Sequence, residues 1–490
     1  MEIEFLKEIF LERNTLFSRL AIREYGVLKE IYIEENDNSP KVGEIYKGIV
    51  KNIVPAIKCA FVDIGYTKNC YLYMDKNFSN NIKTGQEIIV EVISEELGDK
   101  GAKVSTNFTI GGRYCVLGNF SKRIVFSKKI LDKSFIYEME QSLNIPKGIS
   151  IVIRKNAEEK CINDINAEIK RLYCIYNNII NDSKHCIKPR LLLRNSNFYR
   201  SVEDEILLCD KCKIVVNDKD DYDYFNNLYY KNDNIDIIFH NESKNIFAYY
   251  GLEREILKAT QSIVKLECGG YLVINKTEAM NVIDINSGAN TDNNSINKTA
   301  YTTNLEAANE IVRQIKLRNL SGIIIIDFID VKSRKLQNDI IEILRKGFLN
   351  DRSSVKILPF TQLNLVQIVR KRRGKSIYES IKEKYENSCV EGNRIKLSYM
   401  IFLIYNEIHS IIEEVSFNNV YIELNRVYME GIRNNLDVLT EIAYKINGNI
   451  YINFTDINQY YTVKPLIFEN DIRKEQYHKK LNQYILYKCI

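Results

Sequence analysis

The chain has 490 residues with a net charge of +5, 45% hydrophobic residues and 27% charged residues. This composition is typical of a globular protein, and the length predicts three or more modules. It excludes a membrane-spanning protein, because no apolar run approaches the roughly 20 residues that a bilayer crossing needs. The acidic start MEIEFLKEIF does not have the pattern of a signal peptide. We therefore expect a cytoplasmic location, where the 11 cysteines stay reduced.

Strands dominate the first 110 residues, although the first 14 are left unassigned. Residues 15–35 alternate apolar and polar side chains around a Tyr-Gly pair, which predicts a β-hairpin. After the linker NDNSP, residues 41–109 form short alternating runs separated by turn residues. That pattern is typical of a small closed β-barrel.

The middle of the chain mixes helices and strands. Residues 164–181 have the periodicity of an amphipathic helix, and a later helix ends near Lys265. The segments RLLLRN (190–195) and KIVVND (213–218) are predicted strands.

Two carboxylates follow apolar runs within residues 268–330. NVIDINSG leads into Asp284, and IIIIDFID leads into Asp327. The segment between them has helical periodicity, carried by Leu305, Ala308, Val312 and Ile315. A strand–helix–strand unit lays its two strands side by side and parallel, so both carboxylates should face one crevice.

These two carboxylates predict a metal site. Acidic groups held close together repel unless a cation lies between them. With the amide of Asn286 nearby, the oxygen donors suit Mg²⁺ or Mn²⁺ and not zinc. An Asp at a strand end is also a common cap, which leaves a structural role open for either residue alone. Asp330 is predicted to cap a helix or to support the site from outside.

Downstream of Asp327 the pattern predicts a helix at about 334–349 and a strand at 355–360. A basic run, Arg370 to Arg373, follows a further apolar stretch. Taken alone, such a run is often a solvated face.

A zinc site is not expected. Cys209 and Cys212 have metal-ligand spacing, but no second cysteine pair or histidine pair supplies the other two ligands, unless a second subunit does so.

Long strings of this chain closely resemble the ribonuclease E/G family of bacterial endoribonucleases. The strings GGYLVINKTEAMNVIDINSG and TNLEAANEIVRQIKLRNLSGIIIIDFID resemble the family's catalytic segment, and NLVQIVRKRRGKS (364–376) is similar to its GLVEMTRKR. Residues 41–109 resemble an S1 RNA-binding domain. The resemblance implies an α/β and α+β multidomain protein: an RNase H-like subdomain with an inserted S1 (OB-fold) barrel and 5′-sensor, a DNase I-like α/β catalytic subdomain and a small C-terminal α+β domain.

The resemblance also implies domain boundaries. The RNase H-like subdomain takes 1–40 and 197–259, the S1 domain 41–109 and the 5′-sensor 110–196. The catalytic subdomain takes 260–385, a link 386–397 and the small domain 398–490.

The same resemblance implies roles for particular residues. Asp284 and Asp327 would hold the metal, with Asn286 on the scissile phosphate or on a metal-bound water. Single-stranded RNA would stack on Phe61 and Tyr71, with Lys47 and Lys100 as cations, although Phe61 could instead lie in the barrel core and the lysines could be merely solvated. Arg154 and Lys155 take the place of an Arg-Thr pair that holds a 5′-monophosphate, and Arg370 and Arg372 would meet the RNA backbone.

The expected activity is a Mg²⁺-dependent endoribonuclease that cleaves single-stranded, A/U-rich RNA in RNA processing and mRNA decay. Its layout is closest to the shorter ribonuclease G type. Residues 376–397 contain Cys389 but no CPxC, so a zinc-linked dimer is not expected and any homo-oligomer would use another interface. Asn364 and Gln367 also depart from the family pattern. The alternative is an RNA-binding member of the family with impaired catalysis.

Overall fold

A computed structural model describes residues 7–36, 39–73, 82–96, 100–112, 114–119, 123–128, 130–158, 160–193, 202, 205–206, 211–229, 234–288, 296–329, 333–349, 351–372, 374–387, 390–415, 419–433, 450–456 and 460–466. The chain forms two compact units. We call residues 37–208 the inserted unit, and residues 1–36 with 209–490 the main unit.

The main unit begins with three antiparallel strands, β1 (Lys7–Arg13), β2 (Phe17–Glu24) and β3 (Val27–Glu35). Strands β2 and β3 are the predicted hairpin. Tyr25 and Gly26 at its turn have φ of 49° and 74°, as a primed two-residue hairpin turn requires. Strand β1 lies within the 14 residues that the sequence left unassigned.

The inserted unit opens with a closed, OB-like barrel of five strands. They are β4 (Ile45–Val54), β5 (Cys59–Asp63), β6 (Cys70–Tyr73), β7 (Glu87–Ser94) and β8 (Lys103–Ser105). The strand order is β4-β5-β6-β8-β7, and pairing of β7 with β4 closes the barrel. Its core is filled by the inward residues of these strands, such as Val50, Val62 and Val90. The predicted barrel is therefore confirmed.

A second sheet and two helices follow in the inserted unit. Their bounds are β9 (Thr109–Gly111), β10 (Cys115–Gly118), β11 (Ile124–Phe126), α1 (Lys133–Ser142), β12 (Ser150–Ile153) and α2 (Ile162–His185). Helix α2 confirms the predicted amphipathic helix and buries one stripe, including Ile165, Ile169 and Leu172. Strand β13 (Arg190–Leu193) pairs with β4 of the barrel.

The chain then completes the first sheet of the main unit. The elements are β14 (Cys212–Val216), α3 (Lys219–Tyr229), β15 (Ile235–Phe239), α4 (Ile246–Tyr249) and α5 (Leu252–Ala259). The strand order is β15-β14-β1-β2-β3, with β14 parallel to β1 and to β15.

A six-stranded sheet with two helices comes next, and we call it the central sheet. It contains β16 (Ile263–Lys265), β17 (Tyr271–Lys276), β18 (Met280–Asn286), α6 (Ile296–Leu317), β19 (Gly322–Asp327), α7 (Arg334–Gly347), β20 (Val355–Ile357) and β21 (Leu365–Arg370). The strand order is β16-β17-β18-β19-β21-β20, and only β18 and β19 pair in parallel. The strand–helix–strand unit and the helix and strand after Asp327 are thus confirmed.

The remaining described elements are α8 (Ile377–Ile381), β22 (Lys382–Asn387), β23 (Val390–Ile395), α9 (Leu397–Val415), β24 (Val420–Asn425), α10 (Met429–Arg433), β25 (Ile450–Thr455) and β26 (Tyr461–Pro465). Strands β22 and β23 form an antiparallel hairpin across the region predicted to be a link. Helix α9 shares one hydrophobic core with the first sheet, where the ring of Phe402 lies 5.0 Å from that of Phe17. Among the described helices, none combines the length and hydropathy that a bilayer crossing requires.

Candidate active site

The two predicted carboxylates lie side by side on the central sheet. In the parallel pairing of β18 with β19, Asp284 is the register partner of Asp327. Neighbouring strands are about 4.8 Å apart, so the two side chains leave the same face of the sheet within reach of one cation.

That face is the open one. Residues that alternate with the carboxylates, such as Ile283 and Ile326, are fully buried against the helices α6 and α7. Because strand side chains alternate between faces, Asp284 and Asp327 point away from this core, and both are exposed. The apolar residues of the two strands face the core, and this alternation is the reason that the carboxylates between them face outward.

Asn286 forms a hydrogen bond with Asp284 in this structure. Its Nδ2 donates a hydrogen bond of 2.8 Å to Oδ2 of Asp284, two residues back on the same face. The bond restricts the rotation of the Asp284 carboxylate and leaves Oδ1 of that group for a ligand. The predicted contact of Asn286 with phosphate or water stays a prediction.

The residues present fit a hard divalent cation. Mg²⁺ sites commonly use one or two carboxylates and fill the remaining positions with water and substrate phosphate. Within the part of the chain that the structure describes, neither carboxylate forms a salt bridge, and no cluster of three or more His, Cys, Asp or Glu residues is present. Asp330 lies outside the described residues. Two carboxylates and an amide on an open sheet face match Mg²⁺ or Mn²⁺ chemistry.

Close backbone packing supports the end of β18. A Cβ on Gly270 would come within 2.8 Å of the Asn286 carbonyl oxygen, and one on Gly288 within 2.4 Å of the Gly269 carbonyl oxygen. Gly288 also has a φ of +55°. The carboxylate of Glu306 accepts hydrogen bonds from the N–H groups of Glu267 and Cys268, which ties this turn to α6. Only glycine allows the two loops to approach so closely.

The structure corrects the predicted role of Arg370. In the antiparallel pairing of β21 with β19, Arg370 faces Gly322 and Leu365 faces Asp327. Five residues of strand separate the two ends by about 16 Å. The basic run therefore begins at the end of the central sheet opposite the carboxylates.

Arg370 is also buried, with 4% of its surface exposed. Its guanidinium forms a two-pronged ion pair with Asp351, with Nε–Oδ2 and Nη2–Oδ1 distances of 3.0 and 3.2 Å. Its Nη1 donates to Asn319 Oδ1 and to the Leu320 carbonyl. These contacts use the planar donor set that an RNA phosphate would need, so Arg370 holds the fold together and is not an RNA contact.

Arg372 is half exposed, and its neighbour Lys371 is exposed. Nη2 of Arg372 donates a hydrogen bond to the Glu379 carboxylate. Glu379 also forms the capping box of α8 with Ser376 and an ion pair with Lys276. Burial acts to raise the pKa of Glu379, but the Ser376 N–H and the two cations outweigh it and lower that pKa. Arg373 lies outside the described residues.

The barrel places Phe61 and Tyr71 together. They are register partners on β5 and β6, with ring centroids 5.0 Å apart. Their neighbours Ala60, Val62 and Leu72 are buried in the barrel core, whereas both rings are partly exposed on the outer face. The alternative that Phe61 is a core residue is therefore wrong.

The two predicted lysines differ. Lys100 is exposed. Lys47 is 1% exposed, and its ammonium group donates to the carbonyls of Ser183 and Cys186 and pairs with Glu87 at 2.7 Å. All three donors of the Lys47 ammonium are used within the protein, which corrects the prediction that Lys47 is an RNA-contacting cation.

Sequence reasoning missed an aromatic–cation pair on the same barrel face. Tyr73 is 59% exposed, and the Lys103 ammonium lies 4.8 Å from its ring centroid. Lys103 is the register partner of Tyr71 in the parallel pairing of β8 with β6. The alternation Tyr71-Leu72-Tyr73 could have indicated this, because residues two apart on a strand share a face.

Arg154 and Lys155 come directly after β12. Arg154 precedes a single 3₁₀ turn and is partly exposed. Lys155 is exposed and forms an ion pair with Glu158, three residues on. This local pair competes with any phosphate for the lysine.

The cysteine predictions are tested in part. Cys212 is buried in β14 and packs in the first sheet. Cys209 and Cys389 lie outside the described residues.

Comparison with known proteins supports the resemblance. A family model described as "Ribonuclease E/G family" matches residues 109–373. Ribonuclease E of Nostoc sp. is 31% identical over 360 residues, covering 69% of this chain and 52% of that protein. Ribonuclease G of Salmonella typhimurium is 30% identical over 387 residues, covering 74% of this chain and 78% of that protein. The putative ribonuclease E of Buchnera aphidicola is 31% identical over 382 residues, covering 73% and 92% respectively.

The fold and the site define a multidomain protein with an OB-like barrel and a paired-carboxylate site on an open α/β sheet. The chain belongs to the ribonuclease E/G family. It spans about half the length of ribonuclease E of Nostoc sp. and of ribonuclease E of Synechocystis sp., at 52% and 54%.

Proposed function

We propose that this protein is a divalent-metal-dependent endoribonuclease that cleaves single-stranded, A/U-rich RNA in RNA processing and mRNA decay. The observation that carries the proposal is the register pairing of Asp284 with Asp327 on the open face of the central sheet. The family relationship supports the reaction class, and the barrel supports the single-stranded substrate. The expectation of a cytoplasmic location stays a prediction.

The two carboxylates would each give one oxygen to Mg²⁺ or Mn²⁺. When bound, such an ion supplies Lewis-acid activation of the phosphate and of a water molecule. Asn286 keeps the Asp284 carboxylate in one orientation through the 2.8 Å bond. Fixed carboxylates lower the cost of reorganising the site during the reaction.

The proposed chemistry is hydrolysis of one phosphodiester bond. The oxygen of water forms a bond to phosphorus while the bond from phosphorus to the 3′-oxygen breaks, and a proton goes to that oxygen. The products are a 5′-phosphate on the downstream fragment and a 3′-hydroxyl on the upstream one. No histidine pair is invoked, since the carboxylate site suffices for this route.

RNA binding is proposed for the outer face of the barrel. Phe61, Tyr71 and Tyr73 present aromatic surfaces, and Lys103 adds a cation beside them. Stacking of bases on aromatic rings with lysines along the backbone is how OB-type barrels hold single strands. Lys100 extends the cationic surface. Recognition of a 5′-monophosphate by Arg154 and Lys155 is the finer proposal.

The deciding experiment compares two forms of one A/U-rich RNA, with a 5′-monophosphate or a 5′-triphosphate, in Mg²⁺ and in EDTA. Cleavage in Mg²⁺ alone, with 5′-phosphate and 3′-hydroxyl products, is the expected result. Binding of RNA without cleavage in any divalent metal would instead favour the RNA-binding alternative. The ratio of rates on the two RNAs measures the contribution of Arg154 and Lys155.

A further inference from the structure

One side chain of helix α6 holds the backbone just beyond Asp327. Asn304 is fully buried. Its Nδ2 donates to the Ile329 carbonyl at 2.7 Å, and its Oδ1 accepts from the Ile329 N–H at 3.1 Å. Both polar atoms of the Asn304 side-chain amide therefore form hydrogen bonds with the backbone of Ile329, two positions after Asp327.

This residue is where the chain leaves the central sheet. The last register pair of β19 joins Asp327 to Leu365, so Ile329 has no strand neighbour there. Phe328, between the two, is buried and packs its ring 5.7 Å from that of Phe360. Asn304 provides the pair of hydrogen bonds that a neighbouring strand would otherwise provide.

Asp327 is thus held on both sides. Ile326 is anchored in the core and in the strand, and Ile329 is anchored by the amide of Asn304. A metal site with only two protein carboxylates depends strongly on how well each is held in place. The side chain of Asp327 can point correctly only while its backbone stays in register with Asp284.

We propose that Asn304 is a positioning residue that fixes the Asp327 carboxylate for divalent-cation binding. The inference rests on the proposed function and adds a residue to its site. An amide suits the position because it donates and accepts at once. Replacing it leaves the Ile329 N–H and carbonyl without these partners, and the turn that carries Asp327 loosens.

The chain offers a matched control in Asn281. This asparagine is 4% exposed, and its Nδ2 donates to the Ser321 carbonyl at 3.0 Å. It lies on β18, three residues before Asp284, at the end of the central sheet away from the carboxylates. Both asparagines therefore bond backbone that flanks β19, one after the strand and one before it.

The test compares Asn304→Ala with Asn281→Ala in the full chain. Three quantities are measured: Mn²⁺ affinity of the RNA-free protein by isothermal titration calorimetry, the Mg²⁺ concentration for half-maximal RNA cleavage, and the thermal midpoint in EDTA. Loss of groups that orient metal ligands typically weakens metal affinity by about 10- to 100-fold. We expect that loss, in both metal measurements, for Asn304→Ala only, while both variants lower the thermal midpoint.

The inference is overturned if Asn304→Ala binds Mn²⁺ as the wild type does, or if Asn281→Ala weakens Mn²⁺ binding equally. Failure of the proposed function looks different: Asp327→Asn would then leave Mn²⁺ binding unchanged, or the wild type would not cleave RNA. Should Asn304→Ala not fold, Asn304→Ser takes its place, since a hydroxyl can keep one of the two bonds.

Discussion

The two ends of the central sheet hold charged residues in opposite ways. At one end, Asp284 and Asp327 are exposed, adjacent and free of salt bridges within the described residues. At the other end, Arg370 is buried and paired with Asp351. Asp284, Asp327 and Arg370 are each at or near the end of a strand of one sheet, so position at a strand end does not separate the carboxylates from the arginine.

What separates them is whether the protein itself satisfies the charge. A buried ion pair with complete hydrogen bonds is part of the fold, and breaking it costs stability. Two carboxylates left together on an open face repel each other in the free protein, and a bound cation removes that repulsion. An exposed charge that forms no ion pair within the protein is therefore the better guide to function.

The largest expected effect is at the exposed end. Asp284→Asn or Asp327→Asn should reduce RNA cleavage by roughly 1,000-fold or more if the proposed function holds, because the loss of a proposed metal ligand removes several kcal/mol of transition-state stabilisation. RNA affinity and the thermal midpoint should change little, since both side chains are exposed. Single-turnover cleavage and fluorescence anisotropy measure the two quantities. Glu278→Gln, an exposed acid at the turn before β18, is the control.

The second prediction concerns the buried Arg370, at the end of the central sheet opposite the carboxylates. A substitution there should change the stability of the fold, which the first pair of substitutions should leave nearly unchanged. Arg370→Met leaves Asp351 buried without its partner and should lower the free energy of unfolding by about 3–5 kcal/mol. Denaturant titration gives the value. The exposed Arg372→Met is the matched control and should cost little stability. If Arg370→Met folded normally and lost only RNA affinity, the assignment of Arg370 to the fold would be wrong.

The third prediction applies the same comparison, between exposed and buried groups, to the barrel. Phe61→Ala and Tyr71→Ala should each weaken single-stranded RNA binding by about 5- to 150-fold, the effect of 1–3 kcal/mol per stacked base. Lys103→Ala should weaken binding less and reduce its salt dependence. Lys47→Met should instead destabilise the barrel, because it leaves Glu87 and two backbone carbonyls without their buried donor. Equal losses of RNA affinity from both lysine variants would contradict this division.

The smallest effect concerns pH. Because the pKa of Glu379 is lowered from 4.5, its contribution to stability is present above that value and is lost as pH falls through the lower folded-state pKa. Glu379→Gln should therefore be less stable than the wild type at pH 7, and the gap should narrow as pH falls below 4.5 and through the lowered pKa of Glu379. Thermal midpoints from pH 3 to 7 test this. Glu342 on the exposed surface of α7 also has a lowered pKa, through its hydrogen bond to Lys346, but water screens that exposed pair, so Glu342→Gln should show a smaller gap.

Much of the architecture was accessible from patterns in the sequence. The hairpin at 15–35, the barrel, the helix α2 and the strand–helix–strand unit all follow local periodicity and turn residues, and all are confirmed. The pairing of Asp284 with Asp327 followed from the parallel crossover rule. The division of the chain into RNase H-like, sensor and DNase I-like parts stays a prediction.

Other features could not be predicted because they depend on distant partners. The burial of Lys47 needs Ser183 and Cys186, which are more than 130 residues away. The burial of Arg370 needs Asn319 and Asp351, brought together by strand pairing. A basic residue in a basic run looks the same in sequence whether it faces solvent or an internal carboxylate.

Local patterns were enough to identify the candidate chemical groups: two carboxylates after apolar strands, an amide two residues on, and aromatic residues at alternating positions of a barrel. Periodicity is local, so it survives without knowledge of the fold. The tertiary structure decided which charges remain available, since only packing and register place Asp351 against Arg370 and Asn304 against Ile329. Desolvation is the physical reason, because a buried charge must be paired within the protein, whereas an exposed charge remains available to bind a ligand.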